Sequence, residues 1–160
     1  MKKYATLLAL PLLLFMFGCP LGLKFAPGQP DKEKIDAALL GNWATANTDA
    51  EFGGVALKQK DDYSFQVSVS DTRSAYGLDE TEFTGWNTEV GGQKIVYILS
   101  DGDYYMYAYK TETGKVTIYD IALLDGGMDA VTSTEALRKQ ITSSLKKPEC
   151  LNDPRVYEKK

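Results

Sequence analysis

The stretch Tyr63-Ser64-Phe65-Gln66-Val67-Ser68-Val69-Ser70 alternates apolar and polar side chains without a break. Successive side chains of an extended chain point to opposite faces, so Tyr63, Phe65, Val67 and Val69 form one row, and the serines with Gln66 form the other. One row is expected to meet a core and the other water. Sliding the pairing by one residue would turn the serines inward, so this strand sets its own register.

On either side of it, strand-like runs recur over residues 41–46, 53–60, 80–90, 93–99, 103–112 and 115–124, with a short last run at 155–159. Gly91-Gly92, Asp101-Gly102 and Thr113-Gly114 separate four of them. These are hairpin turns, where glycine takes a positive φ without a Cβ clash, so sequential strands should pair antiparallel as a meander. Seven or eight short strands dispose of their edges by closing, which predicts an all-β, up-and-down antiparallel barrel. Two helices should accompany it. Asp31 is placed to cap a short one over 31–40, with Ile35, Leu39 and Leu40 at helical spacing and Gly41 as its stop. Thr132 and Glu135 form a capping box ahead of Ala136, Leu137, Ile141 and Leu145, and Pro148 follows. Residues 95–99 and 116–124 are apolar on both faces, as a barrel wall with a helix on its outside requires.

The N-terminus has a different character. Lys2 and Lys3 precede an apolar run, Leu7 to Phe17, and then Gly18-Cys19. The run is shorter than the ~20 residues that span a bilayer, so residues 1–18 read as a removable export signal. Lys24-Phe25-Ala26 makes a poor small-x-small cleavage site. Met16-Phe17-Gly18-Cys19 resembles the lipobox of bacterial lipoproteins. That resemblance implies thioether diacylation of Cys19, a mature chain beginning there, and a lipid-anchored protein of the bacterial cell envelope, placed in the outer membrane and facing the periplasm. Pro20, Gly22, Pro27, Gly28 and Pro30 make residues 19–30 a flexible tether, leaving 31–160 as one barrel domain.

Charge and composition exclude several functions. Removing Lys2 and Lys3 with the signal takes the net charge from -4 to about -6. An acidic surface without a Lys/Arg cluster repels phosphate backbones, so nucleic acid is not an expected partner. The chain has no histidine, the usual base near neutral pH and the commonest transition-metal ligand. It has no nucleophile elbow or phosphate loop either. No enzyme activity, cofactor or metal is expected. Asp101-Gly102-Asp103, Asp61 and Asp62 lack the further ligands of a calcium loop and read as turn chemistry. Cys150 reads as a small buried hydrophobe or, alternatively, as a reactive thiol; a disulfide to Cys19 requires that Cys19 carry no lipid.

Gly41-Asn42-Trp43, opening the first strand after a short helix, resembles the G-x-W signature of lipocalins, and Asp103-Tyr104-Tyr105-Met106-Tyr107 resembles their second, D-Y-x-x-Y signature. The resemblance implies a barrel closed at one end, with a basic residue packed on Trp43, for which Arg155 is the candidate. Tyr105, Tyr107 and Tyr109 share one strand face. With Phe65 and Trp86 they are the expected ligand-binding residues: rings supply apolar area and hydroxyls orient a guest. Trp86 reads as ordinary core packing or, alternatively, as a guard at the mouth, re-aimed by a bulge at Gly85. The expected function is therefore a non-catalytic, membrane-tethered lipoprotein that binds a small apolar or amphipathic molecule. The other reading is a structural or protein-interaction lipoprotein, of inhibitor or immunity type, whose barrel is filled by its own side chains.

Overall fold

The alternating stretch forms β3 (Phe65–Thr72), and its register is the expected one: Phe65 is fully buried, with Val67 beside it in the same core. Tyr63 stands outside the strand, in the turn before it. The computed structural model describes residues 22–45, 52–72 and 82–160; the export signal, Cys19 and the residues 80 and 81 expected to begin a strand lie outside them. The remaining strands are β1 (Gly41–Thr45), β2 (Phe52–Gln59), β4 (Glu82–Val90), β5 (Gln93–Ser100), β6 (Asp103–Glu112), β7 (Lys115–Ile121) and β8 (Leu151–Lys159). Each pairs antiparallel with the next, and β8 returns to β1, closing a barrel in the order β1 to β8. Closure removes the edges that an open meander would expose.

Two ends follow from the connections. The β2–β3, β4–β5 and β6–β7 hairpins share one end with the chain that enters β1. The other end holds the β5–β6 turn and the long β7–β8 connection. A 3₁₀ turn, Ala37–Leu39, plugs the first end and inserts Leu39 into the core beneath Trp43, whose Nε1 donates to the Leu39 carbonyl at 2.8 Å.

The helix expected over 31–40 does not form; only this turn does, and its cap is Asp36, not Asp31. The segment's polar groups find partners on the barrel instead. Thr88 Oγ1 donates to Glu33 at 2.6 Å, the Ile35 amide to the Asp62 carbonyl at 3.1 Å, and the Asp36 amide to Asn87 Oδ1 at 2.8 Å. Asp31 sits at φ 63, in the left-handed region, which is incompatible with helix propagation.

The tether also ends earlier than its composition suggests. From Gly22 the chain lies along the outer wall, with Leu23, Ala26 and Pro27 buried there and Leu23 exchanging both backbone hydrogen bonds with Tyr104 at 2.9 and 2.7 Å. Gly22 and Gly28 permit this approach, since a Cβ would fall 2.5 Å from Asp103 Cβ and 2.8 Å from Thr88 Cβ.

Helix α1 (Thr134–Ser144) covers the adjacent wall, placing Leu137 and Ile141 on Val90 and Ile95. That contact is why β5 is apolar on both faces. Its cap is Ser133, whose Oγ accepts from the Ala136 amide at 3.1 Å; Thr132 lies one residue too early. The apolar run expected as strand through 124 stops at Ile121 and continues as the loop leading to α1, while the last strand starts at Leu151, earlier than 155. Cys150 is buried, and its Sγ faces the Ala122 carbonyl at 3.5 Å, so burial pushes its thiol pKa up.

Candidate functional site

The inner rows of the eight strands do not fill the barrel completely. A cavity of 110 Å³ remains, lined by Trp43, Val55, Leu57, Val67, Val69, Phe83, Val96, Ile98, Tyr107, Val116, Ile118, Arg155 and Tyr157, with Leu39 as its floor. Every strand of the barrel supplies at least one of these side chains. Arg155 is the one charged group among them.

The space depends on a glycine. Gly85 lies in unbroken register between Phe65 and Ile98, so it is not the bulge expected from sequence. A Cβ there would stand 3.0 Å from Val67 Cγ2 and 3.3 Å from Ile98 Cγ2, both on cavity-lining side chains. A glycine inside a strand thus marks a close approach here.

Of the expected ligand-binding residues, Tyr107 alone lines the cavity. Phe65 and Tyr109 face inward but belong to the packed core, both essentially without solvent exposure. Tyr105 pairs with Ile98 and so shares its inward face, at a half-buried position beyond the cavity lining. Trp86 is on the opposite side of the wall. It stacks on Tyr97 with ring centroids 5.7 Å apart and meets Tyr104 edge-on at 6.4 Å, in an outer cluster covered by Ala26. Trp86 therefore guards no mouth; it seats the N-terminal segment.

Two ion pairs, Lys94 with Asp36 and Arg155 with Asp120, lie toward the two ends of the inner column. At the floor, Tyr109 Oη donates to Asp36 Oδ2 at 2.9 Å, and Lys94 Nζ reaches the same oxygen at 2.8 Å. Burial alone would raise the Asp36 carboxyl, but the hydrogen bonds from Lys94, the Ala38 amide and Tyr109 outweigh it and hold it below the usual carboxylate range. Burial, followed by the bond to Asp36, pushes the Tyr109 phenol far up, so it stays a donor.

Toward the other end, Arg155 pairs with Asp120 and lies over the Tyr107 ring, 5.7 Å from its centroid. Burial raises the Asp120 carboxyl despite the adjacent guanidinium. A bulge between Ile118 and Asp120 brings the aspartate to this point. Arg155 is thus not the residue on Trp43: Lys159 Nζ takes that place, 5.6 Å from the ring centroid.

Strand alternation gives the facing of Val55, Val67, Ile98 and Ile118 but not their depth along the axis, which is why, Tyr107 apart, the sequence did not single out the members of the inner rows that line the cavity. Depth depends on strand stagger, a property of the closed sheet. Among the described residues, no three His, Cys, Asp or Glu side chains gather as a metal site, and no helix is long and apolar enough to cross a membrane. No family model, no curated protein and no solved structure matches the chain.

Proposed function

We propose that the chain is a non-catalytic lipoprotein of the bacterial envelope, anchored through Cys19 in the outer membrane and facing the periplasm, whose barrel takes up the apolar end of a small amphipathic molecule. The observation that carries the binding half is the cavity itself, apolar on all eight strands, floored by Leu39, with its one charged residue paired at the side away from the floor. Its 110 Å³ is somewhat less than the ~150 Å³ of an engineered apolar cavity that binds benzene. That suits one ring or a few methylenes. The rest of such a molecule would extend past Arg155 toward the end opposite Leu39, which is the open end by the half-buried state of the lining residues Val69, Ile98, Tyr107 and Ile118, against the buried Leu39, Trp43, Val96 and Val116. The lipocalin-like character remains part of the proposal, supported by Trp43 over the closed end and by a basic side chain on its ring.

One observation favours the other reading, a barrel filled by its own side chains and acting through its surface: drug-sized ligands occupy about 300 Å³ or more. Mass spectrometry of the intact protein and of small molecules extracted from it separates the two. Binding predicts an amphiphile that copurifies in stoichiometric amount; a bare barrel in every preparation, with no uptake of added amphiphile, favours the filled barrel. The address is tested by Cys19→Ser, which is expected to leave the chain unprocessed or free of the membrane. A mature N-terminus that is unacylated and well beyond residue 19 would refute it.

A further inference from the structure

The N-terminal segment is the least barrel-like part of the sequence, yet it is among the most firmly attached. At its start Leu23 is hydrogen-bonded in both directions to Tyr104, and Lys24 pairs with Asp103. Further along, the Arg138 guanidinium donates to the Pro27 carbonyl at 2.7 Å and to the Glu89 carbonyl at 3.0 Å, locking the segment to β4 and α1. It ends at Asp36, on the floor network. The segment is thus a strap running the length of the outer wall, from the start of β6 to the plugged end.

Its direction matters. Asp103 and Tyr104 open β6 directly after the Asp101-Gly102 turn, so the strap begins at the end of the barrel opposite Leu39. Leu23 lies four residue steps from Cys19, with three residues between them, and an extended chain covers at most about 3.6 Å per step, or about 14 Å in all. The 10 residues of β6 carry the far end roughly 25 Å away, at ~3.3 Å per residue and a typical barrel tilt.

Resting on the proposal that Cys19 is acylated, we infer that the open end of the barrel faces the membrane at headgroup level, so that the cavity draws its occupant from the lipid surface and not from bulk solvent. A strap attached at the plugged end would have turned the mouth away. The partner of this end is a lipid surface, and the ligand class is a membrane amphiphile that presents its apolar end.

The test uses the full-length, processed protein in phosphatidylcholine vesicles containing a spin-labelled headgroup lipid. A fluorophore is placed in turn at Glu82→Cys and Asn152→Cys, exposed positions on separate sides of the open end, and at Thr113→Cys, exposed at the plugged end. Cys150 is buried and remains unlabelled in the folded protein. Several-fold stronger quenching at both Glu82 and Asn152 than at Thr113 is expected. Equal quenching at all three, or quenching of Thr113 with Asn152 spared, would overturn the orientation in a protein whose acylation is intact. Absence of the lipid mass on Cys19 would overturn the address, and this inference with it, so the two failures are told apart by the intact mass alone.

Discussion

Asp36 holds three separate parts of the molecule: it caps the turn that carries Leu39, accepts from Tyr109 of β6 and pairs with Lys94 of β5. Its carboxyl is lowered from 3.8, so the native state binds that proton more weakly than the unfolded chain does. The stabilisation is therefore present above pH 3.8 and is lost as pH falls through the lower native value. Asp36→Asn should lower the melting temperature at pH 7, and thermal melts against pH should show the gap from the parent closing in acid. A constant gap would mean that the charge is not what matters. Phe65 and Tyr107 separate packing from lining. Phe65→Ala is expected to cost about 3–5 kcal/mol in denaturant unfolding, as a fully buried ring does. Tyr107→Ala should cost less and change the affinity for a hydrophobic probe. That Phe65 points inward was legible because a slip would bury serines; that it sits below the cavity was not, since alternation carries no information about depth.

At the scale of elements, strands and tight turns were readable because each hairpin is a local event, fixed by a glycine and the alternation beside it. Positive φ at Gly92, Gly102 and Gly114 is the mark of those turns. The first helix was misread because its residues serve as a strap: Glu33, Ile35 and Asp36 make bonds to positions far away in sequence, which no local spacing reports. The outer cluster of Trp86, Tyr97 and Tyr104 was hidden for the same reason, since nothing in the strand shows that its wet face is covered. Helix α1 was found with its cap displaced by one residue. Ser133→Ala should destabilise the protein by about 1 kcal/mol in chemical unfolding, whereas Thr132→Ala should be nearly neutral; the reverse order would restore Thr132 as the cap.

For the whole molecule, closure follows from edges that must be paired, and the sequence carries that much because seven or eight short strands have few other ways to bury their unpaired backbone. The emptiness at the centre is a collective result of stagger, the inner glycine at 85 and the bulge before Asp120, none of which is decided by one strand. What the barrel is for turns on whether that emptiness takes a guest. Methyl NMR measures this directly, because the inner and outer walls carry separate probes: Val55, Val67, Val69, Ile98 and Ile118 line the cavity, while Val90 and Ile95 lie under α1. Titration with octyl glucoside below its micelle concentration should give saturable shifts in the first group, leave the second nearly still, and lose that response in Val69→Phe. Shifts confined to Val90 and Ile95, or none up to the micelle concentration, would contradict a ligand-binding barrel.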